Sequence, residues 1–178
     1  SDVTKELGLK KEDYIETLVK KNTNREIGPI SNQAVLVKGT PNILCSLSSC
    51  CSPIPGDNII GYISKGKGVK IHRADCKNVL KQPSRTIDVE WNPSATFINC
   101  PVELQIKASD RENLLMDILN TLSQLKVVST KINAKSHPQT LTSTINVTIL
   151  VSDAIRLRNI ISSLVNVDGV YSIERATH

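Results

Sequence analysis

The chain has 178 residues, 39% of them hydrophobic and 22% charged, and carries a net charge of +5. That length holds one medium domain or two small ones, and the composition reads as folded and soluble. No run approaches the ~18 apolar residues of a membrane helix, and Ser1-Asp2-Val3-Thr4 lacks the regions of a signal peptide, so no membrane partner is expected.

A chain that opens on serine suggests a piece of a larger protein. The cysteines, Cys45, Cys50, Cys51, Cys76 and Cys100, make an odd count. Without an export signal the cytoplasm is the expected compartment, where thiols are more often ligands or core residues than disulfides. Charge is unevenly placed. Between 65 and 85 stand Lys65, Lys67, Lys70, Arg73, Lys77, Lys81 and Arg85 against Asp75 alone, whereas 97–178 is close to neutral. Such a cluster suits a phosphate-backbone partner; the alternative is a solvated face balanced by acids elsewhere in a parent protein.

Residues 10–21 place Tyr14, Ile15, Leu18 and Val19 on one stripe of a short amphipathic helix, within a segment (1–34) that reads as linker or the end of a preceding domain. Ala34–Lys38 is strand-like. Pro53-Ile54-Pro55-Gly56-Asp57 is a turn, with proline and glycine at the positions that want fixed and positive φ. Residues 59–63 and 69–72 are β-branched runs around Ser64-Lys65-Gly66-Lys67-Gly68 and predict a hairpin. Residues 74–81 predict one or two helical turns, 86–91 a strand, and Asn92–Ala95 a module boundary.

The second half alternates Val102, Leu104 and Ile106 as a strand. Leu114, Leu115, Ile118, Leu119, Leu122 and Leu125 then fall on one helical face. Strands over 127–135 and 140–151 meet at Ser136–Gln139. A second helix over 153–165 carries Ile155, Leu157, Ile160, Ile161, Leu164 and Val165, and a strand over 168–175 closes the order βαββαβ, the ferredoxin-like arrangement. The fold class expected is α+β: a small β-hairpin and helix module over 35–93, then a ferredoxin-like domain over 94–178.

Metal-competent side chains gather at Cys50-Cys51 and His72-x-x-x-Cys76. A hairpin that doubles back can bring His72 and Cys76 against the paired thiols, and zinc favours such sulfur and nitrogen donors in a closed tetrahedron. Neighbouring side chains often diverge, so Cys45 stands as the substitute for one of the pair; the bland alternative is that all are small buried hydrophobes. Cys–His nucleophilic catalysis finds no oriented third group. Lys65-Gly66-Lys67-Gly68 lacks the order and the following helix of a phosphate loop. His137 and His178 read as exposed, and Trp91 and Phe97 as packing between modules. With aromatics at 3%, any RNA contact should be to phosphates and helical shape rather than by stacking.

The blocks Cys50-Cys51-Ser52-Pro53-Ile54-Pro55-Gly56-Asp57, Ile60-Gly61-Tyr62-Ile63, Gly66-Lys67-Gly68-Val69 and Ile71-His72-Arg73-Ala74-Asp75-Cys76 resemble the C-C-x-P-x-P-G-D…H-x-x-x-C pattern of Rel/SpoT-type (p)ppGpp synthetases and hydrolases. The resemblance runs through Val89-Glu90-Trp91 into Asp110–Leu115, covers 35–178, and is weak over 1–34. It implies a zinc-finger (RIS) module with structural zinc on Cys50, Cys51, His72 and Cys76, then an ACT domain that pairs sheet edges and binds small effectors. It further implies a non-catalytic regulatory fragment, with catalytic domains, which alone use manganese or magnesium, outside this chain. Implied partners are ribosomal RNA and deacylated tRNA; the basic cluster makes Lys65, Lys67, Lys70, Arg73 and Lys77 the expected phosphate contacts. Others are the catalytic half, a second ACT domain, and a branched-chain amino acid at Asp110, Arg111, Asn113 and Leu114. One departure stands out: Asn113 occupies a position that is usually glycine in amino-acid-binding ACT loops, adding a side chain where a ligand would approach.

Overall fold

The computed structural model describes residues 34–38, 43, 45–66, 68–97 and 99–178. The helix expected over 10–21, the segment ahead of Ala34, and Lys67 lie outside them. No helix among the described residues is long and apolar enough to cross a membrane.

The first module opens with β1 (Val35–Val37) and β2 (Cys45–Leu47), followed by the hairpin β3 (Ile59–Ser64) and β4 (Gly68–Arg73). Next come a short helix α1 (Lys77–Leu80), a 3-10 turn (Pro83–Arg85), β5 (Thr86–Ile87) and β6 (Val89–Trp91). The hairpin pairs from Ile59 opposite Arg73 to Ser64 opposite Gly68, as the two β-branched runs require. Two features were not legible beforehand. β2 joins parallel to β4, giving the order β2-β4-β3-β5. The single strand expected over 86–91 is divided: β5 extends the sheet beside β3, while β6 leaves to pair with β1. The core of this module is Ala34, Val35, Cys45, Val69, Ile71 and Val89. Gly61 sits where a Cβ would come within 2.8 Å of Val69 Cγ1 and 2.9 Å of Ile87 Cγ1, so a side chain there would overpack the core and displace those side chains.

The second module runs β7 (Cys100–Ser109), α2 (Leu114–Gln124), β8 (Val128–His137), β9 (Thr142–Val151), α3 (Ala154–Val165) and β10 (Val170–Arg175). Its sheet has the order β10-β7-β9-β8 with every neighbour antiparallel, which is the ferredoxin-like topology. Strict alternation buries Val102, Leu104 and Ile106 of β7 and Ile145, Val147 and Ile149 of β9 beneath the helices. α2 contributes Leu114, Ile118 and Leu122 to that core, and α3 contributes Leu157, Ile160 and Leu164. The single apolar face expected for α2 was too wide: Leu115 is 38% exposed, because the row through Leu114, Ile118 and Leu122 faces the sheet. On α3, Ile155 and Val165 likewise stand outside the buried row.

The modules are joined by more than the segment after Trp91. Phe97 packs against both cores and meets Trp91 edge-on at 5.3 Å between ring centroids. Ile54, from the loop ahead of β3, is fully buried within the core of the second module.

Candidate metal centre

The site is built by the hairpin and the turn that precedes it. β4 alternates, so Val69 and Ile71 enter the first core while Lys70 and His72 share the opposite face. The turn through Ser49–Cys51, closed by Ser52 N–H to Ser48 O at 3.1 Å, sits beside the end of β4, where Ser48 N–H donates to Ile71 O at 2.8 Å. Cys76 immediately precedes α1 and its carbonyl accepts the N–H groups of Val79 and Leu80.

These elements bring the expected four residues together. One ligand atom from each of Cys50, Cys51, His72 and Cys76 lies within 4.8 Å of all the others. Cys50 Sγ is 3.4 Å from His72 Nδ1 and 3.6 Å from Cys76 Sγ, and Cys51 Sγ is 3.7 Å from His72 Nδ1. A tetrahedron with metal bonds of about 2.0–2.3 Å has edges of about 3.5–3.8 Å. These three spacings match such edges, and the other pairs lie within 4.8 Å, close enough for a small inward shift to close four protein donors on a zinc-sized ion. Immediately after the paired thiols, Ser52 turns the chain at φ 44°. Cys45 lies elsewhere, on β2 in the apolar core.

The electrostatics suit the same role. Burial would raise the Cys50 thiol, but hydrogen bonds from Ser48, Asn78, Cys76 and Cys51 outweigh it and bring its pKa below the usual value. Burial pushes Cys51 up to about 12, against the Arg73 backbone N–H that donates to its Sγ at 3.3 Å and with the neighbouring thiols adding repulsion. Burial, with the nearby Lys70 charge, lowers His72, which favours the neutral imidazole that a metal needs. Three thiols and one imidazole form a soft donor set that selects zinc over magnesium or calcium.

The basic residues are spread rather than gathered. Lys65 is exposed at the hairpin tip, Lys70 is half-buried on the His72 face, and Lys77 is exposed at the start of α1. Arg73 is drawn into an ion pair with Asp75 at 2.6 Å. In the second module Asp110, Arg111, Asn113 and Leu114 do border a cavity of about 300 Å³, together with Lys135 and Ile145. Asn113 adopts φ 60°, the left-handed geometry that glycine would otherwise supply and asparagine tolerates. Asp110 is held below the usual carboxylate range by hydrogen bonds from Ser136 and Ser143. The Arg111 guanidinium turns away to Asp117, Glu112 O and Asp168 O.

Comparison with known proteins matches the RelA/SpoT RIS domain over residues 35–92 and an ACT domain over 99–175. The chain belongs to the RelA/SpoT family. It is 34% identical over 152 residues to a GTP pyrophosphokinase of Streptomyces coelicolor, covering 83% of this chain and 18% of that protein. It is also 34% identical over 148 residues to the bifunctional (p)ppGpp synthase/hydrolase RelA of Mycobacterium tuberculosis, covering 80% of this chain and 20% of that protein. The chain therefore spans about a fifth of the length of these relatives. Among solved structures, the ACT domain of a GTP pyrophosphokinase from Chlorobium tepidum aligns at 21% identity and a TM-score of 0.39, covering 43% of this chain and 97% of that one. The RIS and ACT modules are those of the regulatory region of a Rel/SpoT protein.

Proposed function

We propose that this chain is a non-catalytic receptor platform that controls a (p)ppGpp synthetase/hydrolase in the cytoplasm, with a structural zinc ion on Cys50, Cys51, His72 and Cys76. The convergence of those four ligand atoms within 4.8 Å carries the reading. Four protein donors leave no open coordination position, so the ion would hold the RIS module in shape and perform no chemistry. In this reading Lys65, Lys67, Lys70, Arg73 and Lys77 meet RNA phosphates, and ribosomal RNA with deacylated tRNA is the partner that a cationic, aromatic-poor chain suits. The signal passes to the catalytic half of the parent, which transfers pyrophosphate or removes it. Metal analysis of the purified chain tests the first step: about one zinc per chain supports it, and a folded RIS module without bound metal rejects it.

A second reading is supported by the ACT cavity. Asp110 and Lys135 supply opposite charges at its rim, and Leu114 and Ile145 an apolar wall, a combination suited to a small zwitterion with an aliphatic side chain such as a branched-chain amino acid. Asn113 also lines the cavity, adding a side chain where the resembling loops carry glycine. Calorimetric titration with valine or isoleucine tests it, and no heat at millimolar ligand removes it.

A further inference from the structure

The turn that presents the paired thiols is gripped from its far side by the ACT domain. Ile54 is fully buried in the ACT core. The Pro55 carbonyl accepts the N–H of Ala154, the first residue of α3, at 2.8 Å. Gly56, at φ +93°, lies so close that a Cβ would stand 3.1 Å from Ala154 Cβ. Arg175, the last residue of β10, donates from Nη1 to both Asp57 carboxylate oxygens at 2.9 Å and from Nη2 to Ser52 O at 2.7 Å. Asp57 Oδ2 also accepts the Ile54 N–H at 2.9 Å, closing the turn on itself. Beyond β10, His178 N–H donates to Cys50 O at 2.9 Å.

The Asp57–Arg175 pair is only 13% and 12% exposed, and Arg175 Nε is buried without a partner. Two charges placed at that depth, one left incompletely satisfied, are poor glue for a fold but specify geometry. What they touch is the backbone from Ser52, the residue after the paired thiols, to Asp57.

We infer that Arg175 and Asp57 are positioning residues for the metal centre: the ACT domain completes the scaffold that presents Cys50 and Cys51, so metal binding and docking of the two domains form one linked equilibrium. This inference rests on the metal reading above. Because linkage is reciprocal, the ion must hold the ACT domain in place to the degree that the ACT domain holds the thiols.

The test uses the whole chain. Zinc affinity is measured by competition with a chromogenic chelator for the wild type, Arg175→Ala and Asp57→Asn. Loss of either partner is expected to weaken zinc binding about ten-fold or more, as for other groups that orient metal ligands. Arg175→Lys, which keeps the charge but loses the fork to Ser52 O, should fall between. Hydrogen exchange then reads the reverse direction without mutation: removing zinc should speed exchange of the Ala154 amide, whose partner is Pro55 O, while amides of β7 and β9 stay protected. If Arg175→Ala unfolds the ACT domain, Asp57→Asn and the exchange measurement decide the matter. Wild-type chain without zinc removes the metal reading and this inference together. Wild type that binds zinc, with both variants binding equally well or Ala154 protection indifferent to the metal, overturns the inference alone.

Discussion

Cys50 and Cys51 are adjacent in sequence yet face one point. Their environments differ: Cys50 gains hydrogen bonds that lower its pKa, whereas burial lifts Cys51 to about 12. At neutral pH the metal-free site therefore keeps a proton on Cys51 that an incoming ion must displace. Apparent zinc affinity is accordingly expected to fall as pH falls, with proton release on binding measurable by calorimetry in buffers of different ionisation heat. His72, lowered by burial, adds its own competition only below the ordinary histidine range near 6.5. A pH-independent affinity across neutrality would contradict thiolate ligation. Substitution separates the ligands from the bystander. Cys51→Ser and His72→Ala should lose stoichiometric zinc and the order of the RIS module, whereas Cys45→Ser, in the β2 core, should keep its metal and lose only packing energy. Metal content by elemental analysis distinguishes these outcomes.

Helix α3 shows how local chemistry fixes an element. Asp153 accepts the Arg156 N–H at 2.8 Å, and that bond, with Ser152, depresses its pKa. A depressed carboxylate contributes stability that is present above its unfolded value, near 3.9, and is lost as pH drops through the folded value. Asp153→Ala should thus cost about 1 kcal/mol at neutral pH and less in strong acid, as read by denaturant melts. Elements of this kind were legible beforehand because periodicity and caps are local: the hairpin, α2, α3 and the βαββαβ order all follow from spacing. β2 was not, since its three residues carry no alternation and owe their conformation to β4 alone. The grip of β10 on the metal turn was equally hidden. Asp57 and Arg175 stand 118 positions apart, and nothing near either announces the other. The Ile54 side chain read as part of a turn for the same reason. β8 was legible as a strand but not as an edge exposed on both faces, with Ile132 39% exposed and Met116 of α2 also open to solvent. Such an edge is a template for a second chain. Self-association is the expected result by light scattering, weakened by Ile132→Lys; a monomer at every concentration would exclude pairing through β8.

Across the whole molecule, charge and shape divide the labour between the modules. The ACT domain is close to neutral, and the surplus positive charge stands in the stretch from Lys65 at the hairpin tip to Arg85. The Asp57–Arg175 ion pair and buried Ile54 tie the RIS module to the ACT domain. If phosphates are the target, RNA binding must weaken steeply with salt, by about 0.7 to 0.9 in log K per decade of salt for each phosphate neutralised. Lys65→Glu combined with Lys77→Glu removes two exposed cations from opposite ends of the β4 strand and should flatten that slope by about one unit per lysine, with affinity falling alike for all RNA sequences. Arg73→Ala should do less, because Asp75 already engages that guanidinium at 2.6 Å. Filter-binding titrations of the chain against structured RNA over a salt series read both quantities. A slope unchanged by the double charge reversal would place the RNA elsewhere, and salt-insensitive binding would remove phosphate recognition from the account.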